Sequence, residues 1–80
     1  MKVGSWNIRG VGKPFKQKEL RTWILKNHLS MAGVLETRVR VNLSPQIINS
    51  IIPSWQTIYN YTQHPNGRIW MLWDPSILDV

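Results

Sequence analysis

Two side chains, Asn7 and Glu36, each close a segment that reads as a β-strand, and together they are the combination a hard divalent cation accepts. Mg²⁺ takes one or two carboxylates and fills its octahedron with waters and phosphate oxygens, so a glutamate beside a carboxamide makes a partial shell. The same Glu36 is equally placed for a salt bridge to Arg38 or Arg40. A second stretch, Arg9-Gly10-Val11-Gly12-Lys13-Pro14-Phe15-Lys16, joins several cations to backbone that two glycines keep approachable, which suits contact with phosphates. Its spacing meets neither the G-x-x-x-x-G-K-[ST] nor the G-x-G-x-x-G pattern, and a plain glycine-containing strand-to-helix loop accounts for it equally well.

The balance of charge points the same way. Ten Lys+Arg against four Asp+Glu give a net charge of +6 and a pI near 10.4, which favours an anionic partner, with nucleic acid foremost and DNA its first form. Arg9, Lys13, Lys16, Arg38, Arg40 and Arg68 are the candidate backbone contacts, whereas Arg21 and Lys26 read as the solvated face of a helix. Cysteine is absent, so disulfide frameworks, thiolate metal sites and cysteine nucleophiles are excluded. His28 and His64 have no partners at metal-ligand spacing. Asp74, before Pro75, reads as a turn-forming carboxylate. The five tryptophans fall in or beside apolar stretches, where a large ring fills a core more readily than it stacks on bases. No apolar run is long enough for a membrane span or a signal peptide, and the composition reads as soluble and intracellular.

The elements that carry these residues follow from periodicity. Met1 to Ile8 alternates loosely before Gly10, Gly12 and Pro14 interrupt it, which predicts a first strand ending at Asn7 or Ile8. Phe15 to Leu29 holds Leu20, Trp23, Ile24 and Leu25 at helical spacing. Leu29 to Thr37 is nearly continuously apolar, the pattern of a strand covered on both faces. Ser44-Pro45 matches an N-cap with proline at the first helical position, followed by an isoleucine stripe, Ile47, Ile48, Ile51 and Ile52, that Pro53 ends. Trp55 to Tyr61 and Gly67 to Trp73 read as a hairpin closed at Asn66-Gly67. The resulting fold class is α/β (α+β), in the order β-α-β-α-β-β. A parallel crossover between the first two strands would bring Asn7 and Glu36 to one edge of the sheet, where open α/β sheets place their ligands.

The strand Arg68 to Trp73 is apolar on both faces, and Ile77-Leu78-Asp79-Val80 looks like the start of a further strand. Both features predict a domain truncated on its C-terminal side, since two modest helices can cover only part of such a surface.

Three ordered segments carry a resemblance: Ser5-Trp6-Asn7-Ile8-Arg9-Gly10, Leu35-Glu36-Thr37-Arg38, and His64-Pro65-Asn66-Gly67-Arg68-Ile69-Trp70-Met71-Leu72-Trp73-Asp74-Pro75. Together they resemble the endonuclease/exonuclease/phosphatase superfamily, and within it the apurinic-type endonuclease domain of plant LINE-type (non-LTR) retrotransposons. The resemblance spans residues 1–80 and corresponds to about the first third of that domain. It implies the N-terminal part of a four-layer α/β sandwich, Mg²⁺-dependent phosphodiester hydrolysis, and action on chromosomal DNA, hence a nuclear location. Glu36 then matches the metal-ligating glutamate and Asn7 the asparagine beside metal and scissile phosphate, the two catalytic positions that carry over. The later parts of the family's machinery, an Asp-x-Asn pair and a terminal Ser-Asp-His, do not occur in this sequence. The expectation is therefore a nuclease fragment inactive alone. A small basic DNA- or RNA-binding module without catalysis is the alternative, and a retroelement remnant without activity a third.

Overall fold

The computed structural model describes residues 2–60 and 69–78. Strand β1 (Val3–Asn7) leads through a loop into helix α1 (Pro14–Lys26), followed by β2 (Met31–Leu35), a 3₁₀ turn (Val41–Leu43), α2 (Ser44–Ile51), β3 (Gln56–Asn60) and β4 (Ile69–Trp73). The anticipated order β-α-β-α-β-β is the observed one. The strands form a single sheet in the order β1-β2-β4-β3. The β1 and β2 strands run parallel with Asn7 opposite Leu35, while β4 pairs antiparallel with both β2 and β3. The hairpin is thus present as strands, and its Asn66-Gly67 turn lies outside the described residues.

Strand alternation sorts the sheet into two faces. One face, with Ala32, Val34, Trp70 and Leu72 fully buried, packs with Leu20 and Ile24 of α1 and Ile48 and Ile51 of α2 into one core. Trp6, Trp23 and Trp55 lie partly buried against it. Each fully buried Leu, Ile or Val contributes about 1.5–3 kcal/mol relative to an exposed position. Gly4 permits α1 to lie close: a Cβ there would stand 3.0 Å from the Trp23 ring and 3.1 Å from Leu29. Arg21 is exposed on the helix, as its spacing suggests, and it also ties the helices together by donating from Nη1 to the Ile51 carbonyl at 2.9 Å.

The opposite face carries no helix. Val3, Leu35, Ile58 and Met71 are all more than a third exposed there, and no charged side chain lies among the strand residues of that face. The two-sided apolar character of β4 is real, and the second side faces outward at Met71, although Trp73 is buried.

Three local expectations need correction. Helix α1 ends at Lys26 rather than Leu29, because His28 adopts a left-handed backbone (φ 52°). The N–H of Leu29 then bonds the Ile24 carbonyl and that of His28 the Leu25 carbonyl, the paired bonds of a Schellman end. Leu25 sits one residue off the apolar stripe and is half exposed. Ser44 is not the N-cap of α2 but its first residue: the 3₁₀ turn precedes it and its hydroxyl donates to the Arg40 carbonyl at 3.2 Å. After β4, Ile77 belongs to a turn and Leu78 to neither strand nor helix, while Asp79 and Val80 of the anticipated further strand lie outside the described residues. Asp74 Oδ1 accepts from the backbone N–H (2.9 Å) and hydroxyl (2.7 Å) of Ser76, and residues 75–77 form the turn that its carboxylate organises.

Candidate nucleic-acid interface

Beyond their paired ends, β1 and β2 continue side by side as two loops. Ile8 N–H donates to the Leu35 carbonyl (3.1 Å), Gly10 N–H to Glu36 (2.8 Å) and Val11 N–H to Thr37 (3.0 Å). Ile8, Val11, Thr37 and Val39 are buried in this stretch and anchor both loops to the core. The residues between them, Arg9, Arg38 and Arg40, are thereby exposed, and Glu36 is partly so.

The backbone at this edge is unusual. Arg9 (φ 53°), Gly10 (φ 103°), Glu36 (φ 54°) and Arg38 (φ 55°) are all left-handed. Side chains other than glycine adopt that region at a cost of about 1–2 kcal/mol each, and such residues gather at ligand sites, where the surroundings hold them. The remaining non-glycine examples, His28 and Ser54, lie in turns that follow helices. Nothing in the sequence marks Arg9, Glu36 or Arg38 for this conformation.

One consequence is measurable. Arg9→Gly removes an exposed side chain and the strain with it, offset by glycine's greater freedom in the unfolded chain. The expected net gain is about 0.5–1 kcal/mol, which raises the melting temperature by roughly 3–6 °C in a chain of this size. A fall in melting temperature would show that the left-handed turn at Arg9 is not strained.

Arg9, Lys13, Lys16 and Arg38 line one cleft of about 410 Å³ with Gly10, Gly12 and Phe15. Helix α1 begins at its rim with no acidic residue in its first turn, so the positive end of its dipole adds to the four cations. The Glu36 carboxylate stands 3.7 Å from the Arg38 guanidinium, the arginine exposed and the glutamate partly so, a pair worth little to stability and open to exchange for a ligand. Asn7 is the register partner of Leu35 and so neighbours Glu36 across the sheet edge. Thr37, between Glu36 and Arg38, is fully buried, and its hydroxyl has no hydrogen-bond partner among the described residues. It is a residue that sequence reasoning passed over.

Of the residues expected from sequence, Arg9, Lys13, Lys16 and Arg38 therefore line one cleft, while Asn7 and Glu36 lie at the same end of β1 and β2 without lining it. Arg40 is exposed two residues further on but does not line the cleft. Arg68 lies outside the described residues. Among the described residues no three His, Cys, Asp or Glu side chains are grouped as a metal centre would need, so Glu36 and Asn7 fit Mg²⁺ only as a partial shell that phosphate and water would complete. No described helix is long and apolar enough to cross a membrane. No family model, curated protein or solved structure matches the chain.

Proposed function

We propose that this chain is a nucleic-acid-binding fragment of a Mg²⁺-dependent phosphodiesterase domain of endonuclease/exonuclease/phosphatase type, and that alone it grips the polynucleotide backbone without cutting it. The observation that carries the reading is the strained double loop, in which Gly10 and Val11 bond to Glu36 and Thr37 and thereby set Arg9, Lys13, Lys16 and Arg38 around one cleft. Four cations in one concavity favour a ligand that carries several negative charges, as a run of phosphates does, over any neutral one. The open apolar face of the sheet also suits a fold that is one layer of a larger sandwich.

In this reading Glu36 and Asn7 are the residues that would hold Mg²⁺, which would supply charge stabilisation at a bound phosphate. Arg38, now 3.7 Å from Glu36, would contribute its positive charge to the same phosphate. Among the described residues no second carboxylate stands beside them to move a proton: Asp74 lies at the opposite end of β2, its N–H bonded to the Ser30 carbonyl and its carboxylate to Ser76. General-base assistance is typically worth 10²–10⁴-fold, so hydrolysis by the chain alone falls to background.

The test is direct. In fluorescence anisotropy at low salt the purified chain is expected to bind a labelled oligonucleotide saturably, and absence of binding would overturn the proposal. Supercoiled plasmid incubated with the chain and Mg²⁺ is expected to stay intact. Reproducible nicking that disappears in Glu36→Ala would instead make the chain a complete nuclease.

A further inference from the structure

Beside the cationic cleft lies a second, larger depression of about 670 Å³, lined by Trp6, Phe15, Trp23, Lys18, Glu19 and Lys26 among others. The two concavities meet at Phe15, which lines both. Phe15 is 58% exposed, although it sits in the first turn of a helix whose core-facing positions are Leu20 and Ile24. Trp6 and Trp23, half-buried with ring centroids 5.5 Å apart and planes tilted by 60°, form a rigid aromatic floor packed on the core. The Lys16 ammonium stands 5.9 Å from the Trp6 ring, bridging the aromatic floor and the phosphate cleft. Lys18 and Lys26 rim the depression, and its single carboxylate, Glu19, is paired with Lys16 at 3.7 Å.

We propose that this depression is a base-stacking platform, so that the chain takes a single-stranded segment with phosphates along the cationic cleft and one unpaired base against Phe15. The inference rests on the phosphate-binding reading above and deepens it. An aromatic ring left in water beside cations is stabilised by a partner that brings both a π-face and negative charge, and a polynucleotide strand brings both in every residue. Inside a duplex the base faces are already stacked on one another, which is why the ligand is a single strand or an unpaired base.

The test compares three probes of equal length by anisotropy: a thymidine oligonucleotide, its abasic sugar-phosphate counterpart, and a duplex. The thymidine strand is expected to bind about tenfold tighter than the abasic one, in line with the worth of one stacked base. Phe15→Ala should remove that difference without changing the abasic affinity or the salt dependence, and Phe15→Trp should keep it. As Phe15 is exposed, both variants are expected to retain the native circular dichroism. Equal affinity for thymidine and abasic strands, or tighter binding of the duplex, would overturn the stacking proposal while leaving phosphate binding intact. Salt-insensitive binding of all three probes, or equally strong competition by polyglutamate, would instead overturn the parent reading, and this one with it.

Discussion

Trp70→Ala is expected to abolish the cooperative thermal unfolding transition of this chain. Trp70 is fully buried in β4, where its register partners are Val34 on one side and Tyr59 on the other, so it sits in the middle of the sheet and under both helices. Truncating a buried tryptophan costs about 3–5 kcal/mol through lost transfer energy and the cavity left behind. A chain of 80 residues has about 4–12 kcal/mol of total stability at the usual 0.05–0.15 kcal/mol per residue. The exposed apolar face places this protein toward the lower end, because Val3, Leu35, Ile58 and Met71 leave much of their apolar surface in water. The check is near-ultraviolet circular dichroism during a melt: a flat, featureless trace for Trp70→Ala beside a sigmoidal one for Ile58→Ala, whose side chain is 56% exposed. A sigmoidal melt of Trp70→Ala close to that of the parent chain would mean that the core lies elsewhere.

The relation between sequence and structure is uneven, and the reasons are physical. Periodicity located every strand and both helices, because one face of each must be apolar to bury it: the Ile48 and Ile51 stripe and the run Met31–Leu35 are where their patterns put them. Ends were less accessible. The stop of α1 depends on His28 taking a left-handed turn, a conformation that histidine adopts only when the following bonds to Ile24 and Leu25 favour it. Ser44 has the chemistry of a cap, but the 3₁₀ turn before it moved the helix start and redirected its hydroxyl to Arg40.

The candidate site divides in the same manner. That Asn7 and Glu36 reach one edge follows from two parallel strands with a crossover helix, which the order of elements already implies. The strain at Arg9, Glu36 and Arg38 arises from hydrogen bonds between loops far apart in sequence, and no local pattern encodes it. Phe15 was hidden for a related reason: only the placement of Trp6 and Trp23 in the same depression makes its exposure meaningful.

The second large effect concerns charge. Replacing Arg9, Lys13, Lys16 and Arg38 together by alanine is expected to weaken binding of a single-stranded oligonucleotide by roughly 10³-fold at 0.1 M salt. Each phosphate neutralised on a single strand contributes a salt exponent of about 0.7, which at 0.1 M salt corresponds to about 1 kcal/mol. Four such contacts sum to about 4 kcal/mol, each 1.36 kcal/mol being tenfold. Fold stability should change little, because three of the four residues are exposed, and the interactions lost are the weak pairs of Lys16 and Arg38 with Glu19 and Glu36 and the 5.9 Å contact of Lys16 with the Trp6 ring. Lys2→Ala supplies the control: it too removes an exposed positive charge, but just before β1, at the opposite end of that strand from the cleft. Comparable losses in Lys2→Ala and in single variants of the cleft would show that net charge rather than the cleft attracts the strand.

The most direct test of the central claim is the salt dependence of oligonucleotide binding, measured by anisotropy from about 50 to 200 mM salt for the parent chain and for single variants at Arg9, Lys13, Lys16 and Arg38. A cleft that holds four phosphates predicts a slope of log K against log salt near −3, hence about a 50-fold loss of affinity over that range, with each variant making the slope shallower by about 0.7. A slope near zero, or one that none of the four substitutions alters, would contradict the assignment of this edge as a polynucleotide-binding site.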